Sequence, residues 1–213
     1  MNKIEDFSFT YKIDIEFELS LHDNKDFFVS EMNERVKVLL SNIDACEKIK
    51  KAAKTQSQKD YIEIWNCLGF INIIALDLVS VGKALILENE KWQKIYFARQ
   101  VVLLIYEALN DIPEILGKEY KKIFILINES KDYMEQLNLY KKELEKIKKE
   151  NYSYLHEIRT NVAAHRDQNI DSQIKVLREI DPYKIIKILF AFEKSLRKIS
   201  DHLQMLAVRT VKI

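Results

Sequence analysis

The chain has 213 residues, 47% of them hydrophobic and 31% charged, and a formal net charge of +1. That length suits one domain, or one domain with an appendage, and is enough to bury a real core. A charge so close to zero excludes a global field that gathers nucleic acid, so any such contact has to come from a local cluster.

Gly occurs 3 times and Pro 2 times, against about 15 and about 11 at average usage. Few turns follow from this, and long helices are expected. The first segment is different. Phe7, Phe9, Tyr11, Ile13, Ile15, Phe17, Leu19 and Leu21 alternate with polar residues, which is the pattern of a half-buried β-strand. The only other β-like stretch is Ala207 to Ile213. The strand is therefore expected to pair with the C-terminal segment or with its copy in a second subunit. Residues 1–22 would form this appendage and residues 23–213 a helical bundle.

From Phe27 the period changes. Phe28, Met32, Val36, Leu39, Ile43 and Cys46 follow three- and four-residue steps, which predicts an amphipathic helix ending near Lys54. Ser57 with Asp60 has the form of a capping box opening the next helix. That helix, to about Leu87, is apolar nearly all round. It is long enough to span a membrane, but Glu63, Asp77 and Lys83 within it are costly in lipid. It is expected at the centre of the bundle, with no membrane as partner. Trp92, Ile95, Val102, Ile105 and Leu109 mark a third helix, interrupted at Pro113 and Gly117. A short helix through Ile127 and a charged one from Ser130 to Glu150 follow. Asp181-Pro182 has the form of a helix start, and the last helix is expected to run to about Met205. The fold class is thus all-α, a bundle of five to seven helices with a short β appendage. Cys46 and Cys67 lie in apolar helical patterns and read as small buried hydrophobes in a reducing cytosol. No secretory signal pattern opens the chain, and a cytoplasmic location is expected.

The stretch Glu157-Ile158-Arg159-Thr160-Asn161-Val162-Ala163-Ala164-His165-Arg166-Asp167 is the one most like a site. Arg159 offers a permanent positive fork suited to phosphate. His165 offers a proton donor or acceptor near neutral pH. On a straight helix the two stand about 120° apart, so a shared site requires a kink near Asn161 or a helix start between them. The structural alternative pairs Arg159 with Glu157 or another surface acid and places His165 at a helix end. Arg197 and His202 repeat the residue types, but they lie within an amphipathic helix without the small-residue context.

Arg99 and Glu107 flank an apolar helix stretch beside Tyr106. They form either a structural ion pair or support for the Arg/His site. Lys141, Lys142, Lys146, Lys148 and Lys149 form a basic block. Interleaved glutamates make it a solvated face more than an RNA track. The sequence holds no HExxH, no Cys-x-x-Cys and no Gly-rich phosphate loop, so neither metal nor cofactor is expected.

The Arg159/His165 spacing, with Ala163-Ala164 and Arg166-Asp167 around it, resembles the motif of the HEPN family. These are helical bundles in which an Arg, four to six residues and a His form a metal-independent ribonuclease site. The resemblance covers the motif and the helix order, not the N-terminal strand. The family usually has Asn, Asp or His after the Arg; here Thr160 stands there and Asn161 follows. The resemblance implies an endoribonuclease of toxin or antiphage type, working as a homodimer on RNA. His165 would be acid or base, Arg159 would bind the scissile phosphate, and Asn161 or Thr160 would orient. Glu107, Arg99 and Arg166 are supporting candidates. Tyr152, Tyr154 and Leu155 are the candidate dimer contacts. The other readings are a non-catalytic module binding a nucleotide or a partner protein, such as an antitoxin or a nucleotidyltransferase, and a plain helical scaffold.

Overall fold

A computed structural model describes residues 15–53, 61–117, 131–163 and 169–211. Those residues form α1 (Ile15–Asp23), α2 (Lys25–Ala52), α3 (Ile62–Leu87), α4 (Lys91–Ile115), α5 (Lys131–Ile158), a π-helical turn (Arg159–Ala163), α6 (Ile170–Glu179) and α7 (Pro182–Val211). No strand occurs among the described residues, so the all-α bundle stands. The Ser57/Asp60 capping box and the short helix through Ile127 lie outside the described residues.

The expected N-terminal strand is corrected where it can be compared. Ile15–Asp23 is helical. Alternation placed Phe17, Leu19 and Leu21 on one buried side. The helix instead buries Leu21 and packs Phe17 against the core, while Leu19 is 57% exposed. Phe17 and Leu21 are four apart, the spacing that shares a helix face. Contacts with the start of α7 hold α1 in place: the Tyr183 hydroxyl bonds to Glu18, and the Lys187 ammonium lies 4.7 Å from the Phe17 ring centre. The proposed strand partner is helical too, since Ala207–Val211 continues α7 beyond Met205. Residues 7–14 of the expected strand lie outside the described residues.

The centre of the bundle is α3, as its apolar sequence requires. It packs against α2, α4 and α7, and Ile64, Leu68, Ile71, Leu78 and Leu85 are fully or almost fully buried. By length and composition alone it would suffice to cross a membrane; here it forms the core. A Cβ at Gly82 would come within 2.5 Å of Leu189 Cδ2, so glycine permits the close approach of α3 to α7. Asn72 is buried, and its Oδ1 accepts a 2.9 Å hydrogen bond from Ser200 Oγ. That bond removes part of the cost of a polar group in the core.

Helix ends follow local chemistry. Asp181 Oδ1 accepts from the Tyr183 and Lys184 backbone N–H groups at 2.9 and 3.1 Å, an N-cap of the expected kind. Asn169 caps α6 through the Asp171 and Ser172 N–H groups. Glu90 caps α4 by accepting from Trp92 and Gln93, and these N–H donors hold its carboxyl below the usual range. Pro113 does not interrupt α4, contrary to expectation. It sits in the last turn, and the helix runs on to Ile115. Gly117 does mark the end: its N–H bonds to Glu114 O at 3.0 Å, and a Cβ there would lie 2.7 Å from that oxygen.

Candidate functional site

α5 carries Lys148, Tyr152 and His156 at four-residue steps, and Arg159 follows His156 by three. Side chains so spaced stand above one another on one face. α4 packs along this stripe and supplies Tyr106, Glu107 and Asn110. The two helices thus build one polar–aromatic face. It is anchored underneath by Leu155 and Ile158 of α5 and by Ile105 and Leu109 of α4, all buried.

The contacts on this face are specific. The Tyr106 hydroxyl lies 3.1 Å from His156 Nδ1 and 3.3 Å from the Tyr152 hydroxyl. The Tyr152 and His156 rings stack with centres 5.5 Å apart and planes inclined by 9°. The Arg159 guanidinium lies 5.3 Å from the Tyr106 ring centre, within cation–π range. Its Nε and Nη2 both reach Glu107 Oε1, at 3.1 and 3.0 Å. Lys148 donates to Asn110 Oδ1 at 2.8 Å, and its ammonium lies 5.8 Å from the Tyr152 ring centre. The bond with Tyr152 pushes the Tyr106 phenol above its ordinary value. This phenol therefore acts as a hydrogen-bonding group near neutral pH, not as an anion.

The helix changes form where Arg159 stands. Arg159–Ala163 is a π-helical turn, with wider i→i+5 closure of the kind often found at functional sites. A site shared by Arg159 and His165 called for a kink near Asn161 or a helix start between the two; the π-helical turn covers Asn161, and the His165 end of that segment lies outside the described residues. Asn161 Nδ2 donates to Glu157 O at 2.9 Å, so its amide braces the helix. Thr160 Oγ1 is buried without a hydrogen-bond partner among the described residues. His165 and Arg166 lie outside the described residues. Arg99 is buried on α4, two turns before Glu107, with its guanidinium 5.7 Å from the Tyr96 ring centre. Of the two supporting candidates among the described residues, Glu107 meets Arg159, and it does so as an ion pair.

Two candidate dimer contacts are spent inside the chain. Leu155 is completely buried, and the Tyr154 hydroxyl accepts from the Asp181 N–H at 2.9 Å. Burial pushes the Tyr154 phenol up to about 12. Tyr152 remains 41% exposed.

Sequence reasoning missed His156, Tyr152 and the Tyr106 hydroxyl as members of one cluster. The signal was present: Lys148, Tyr152, His156 and Arg159 follow the 4-4-3 spacing of a single helix face. It was obscured because the Arg159 segment was read as separate from the charged helix before it, whereas α5 runs unbroken from Lys131 to Ile158.

The second Arg/His match does not form a site. Arg197 Nη2 contacts Glu193 at 3.4 Å. His202 is 1% exposed and lies between Tyr133 and Tyr140, with ring centres 5.6 and 6.1 Å away. Among the described residues no group of three or more His, Cys, Asp or Glu side chains is placed to hold a metal ion. Cys46 and Cys67 are buried and free, and burial pushes the Cys67 thiol up to about 11. Compared with known proteins, the chain matches no family model, no curated protein and no solved structure.

Proposed function

We propose that the chain is a metal-independent endoribonuclease of HEPN type, acting through the RNA's own 2′-hydroxyl. The observation that carries this reading is the placement of Arg159 and His156 on one face, joined through the Tyr106 side chain. A fixed guanidinium suits a phosphate that gains charge in the transition state. An imidazole suits proton transfer near neutral pH. In the proposed step the 2′-oxygen attacks phosphorus and its proton passes to imidazole. The bond from phosphorus to the 5′-oxygen breaks, and that oxygen takes a proton in turn. Tyr106 occupies Nδ1 of His156, which leaves Nε2 for the transfer. The stacked Tyr152 and His156 rings give an unpaired base a surface to lie on.

The motif nominates His165 as acid or base, and the described geometry nominates His156. Two histidines suit a reaction that needs one proton removed and one delivered. The orienting role proposed for Asn161 or Thr160 requires the Asn161 amide to leave Glu157 O or the buried Thr160 hydroxyl to turn outward, and Arg166 keeps its proposed supporting role. A homodimer, a toxin or antiphage role, an antitoxin or nucleotidyltransferase partner and a cytoplasmic location belong to the same proposal.

One observation favours a second reading, a non-catalytic module that binds a nucleotide or partner protein. Both Arg159 contacts fall on Glu107, so the guanidinium must exchange a carboxylate for a phosphate before it can act. Incubating the purified protein with mixed RNA in EDTA separates the two. Cleavage by wild type that disappears in Arg159→Ala supports the nuclease. Intact RNA with the wild-type dimer, alongside saturable nucleotide binding, supports the module.

A further inference from the structure

A second set of charged side chains lies apart from the Arg159 face and shares no residue with it. The first half of α2, the second half of α3 and the first half of α7 line an open cavity of about 230 Å³. Phe28, Met32, Leu78, Val79, Leu189 and Phe190 make it apolar. The Phe28 and Phe190 rings stack at 5.4 Å, and Phe27, beside them, is 62% exposed. Four charged side chains line the same cavity, exposed Glu31 and the group formed by Arg35, Glu193 and Arg197. Arg35 Nε lies 3.2 Å from Glu193 Oε1, and Arg197 Nη2 lies 3.4 Å from Glu193 Oε2. Two guanidinium groups therefore share one carboxylate. The Arg35 and Glu193 side chains are only 12% and 16% exposed. Arg35 Nη2 is buried without a hydrogen-bond partner among the described residues.

We infer that this cavity binds a small aromatic monocarboxylate, its ring among Phe28, Met32 and Phe190 and its carboxylate against Arg35 and Arg197. A largely buried ion pair is a weak source of stability, because desolvation offsets most of the attraction. The unpartnered Nη2 of Arg35 makes the arrangement costlier still. One ligand carboxylate brings the inner group of Arg35, Arg197 and Glu193 to two guanidinium ions and two carboxylates, while Glu31, also on the lining, is exposed and screened by solvent. Arg offers a planar fork suited to a carboxylate. A phosphate dianion would leave negative charge in excess beside Glu193. A cation would meet two arginines. The volume suits a small ligand body. An apolar cavity of about 150 Å³ holds benzene, so about 230 Å³ takes one ring and a short chain.

This site bears on Arg197 in a way its sequence neighbourhood did not suggest. The residue belongs to a binding cavity with Arg35, not to a pair with His202.

The test is calorimetric titration of the full chain at pH 7 with phenylacetate, 3-phenylpropionate and 4-phenylbutyrate, and with 3-phenylpropionamide and 3-phenylpropylamine. At least one acid is expected to bind about tenfold tighter than the amide, the scale of one charge-assisted hydrogen bond. The amine is expected to bind weakest. Arg197 is 51% exposed, so Arg197→Gln should keep the fold, verified by an unchanged melting curve. It should weaken the acid about tenfold and leave the amide unchanged. The inference is overturned if acid, amide and amine bind alike, or if Arg197→Gln binds the acid as wild type does. Silence from all three acids up to about 10 mM overturns it too. RNA cleavage is not a readout here, so this inference and the nuclease proposal fail separately.

Discussion

Arg159 and His156 sit three residues apart across the end of α5, while Arg197 and His202 sit five apart along α7. Three steps leave two side chains about 60° apart on a helix, and five leave them about 140° apart. The first pair shares a face with Tyr106 and Tyr152. The second pair is split: Arg197 turns to a cavity against α2, and His202 is buried against α5. The same two residue types therefore give a surface cluster in one place, and an ion pair plus a core side chain in the other. What decides is the angle around the helix and which neighbour covers that angle.

The sharpest way to break this comparison is to remove each member of both pairs. Loss of an acid or base typically costs about 10²–10⁴-fold in rate. Under the nuclease proposal, Arg159→Ala and at least one of His156→Ala and His165→Ala should lose RNA cleavage by that order, with melting temperatures within a few degrees of wild type. Arg197→Ala should cleave as wild type does. Full activity in Arg159→Ala, or in both histidine variants, would end the proposal; an Arg197→Ala defect would mean the two regions are not independent.

Next in size is the apolar support beneath the face. Leu155 is completely buried, and truncating such a leucine costs about 2–5 kcal/mol. Leu155→Ala should lower the urea midpoint accordingly, whereas Tyr152→Ala, on the exposed side, should cost less than about 1 kcal/mol. Equal losses would show that the stacked ring holds the bundle together and is not a free surface.

His202 gives a smaller effect with a definite sign. Burial pushes its imidazole below the ordinary value, and neither ring nitrogen has a hydrogen-bond partner among the described residues. The unfolded chain therefore takes up a proton at a higher pH than the folded chain. By linkage, the stabilisation is fully present above the unfolded value of about 6.5. It is lost as pH falls from there toward the lowered folded value. Wild type should have a lower urea midpoint at pH 5 than at pH 7, and His202→Phe should flatten that difference. An unchanged slope in the variant would assign the acid sensitivity to another group.

The smallest effect separates a structural role for Glu107 from a restraining one. The Arg159 and Glu107 side chains are 26% and 43% exposed, and pairs at the surface contribute about 0–1 kcal/mol. Glu107→Gln should therefore move the melting temperature little. If the pair restrains Arg159, the variant should bind inorganic phosphate or a short RNA more tightly than wild type. Weaker binding would make Glu107 a positioning group.

How far the sequence could be read depended on length. Over the 26 residues of α3, apolar composition left one outcome, and the central helix is where it was expected. Asp181-Pro182 and its cap were legible because the cap is local: one side chain and two N–H groups within three residues. The N-terminal alternation was misread because it is ambiguous over a short span. Phe17 and Leu21 are two strand steps apart but also one helix turn apart, and α7 offers the surface that selects the helix. Pro113 was over-read as a break, although a proline in the last turn of α4 forfeits only one bond there.

The candidate site divides along the same line. Its α5 stripe, Lys148, Tyr152, His156 and Arg159, is determined by sequence alone, because a continuous helix fixes the angles between residues three and four apart. Nothing local determines that Tyr106 bonds His156 fifty residues away, that Glu107 takes Arg159, or that Arg35 and Arg197 share Glu193. Those pairings exist because α4 lies along α5 and because α2 and α7 both pack on α3. Those packings are set by where Gly82, Leu155 and the other buried side chains let helices approach. Over long periodic spans the sequence by itself settles helices, caps and faces, since these are local in backbone geometry. Only the tertiary structure decides which charged groups meet, because that depends on the fit of apolar surfaces far apart in the chain.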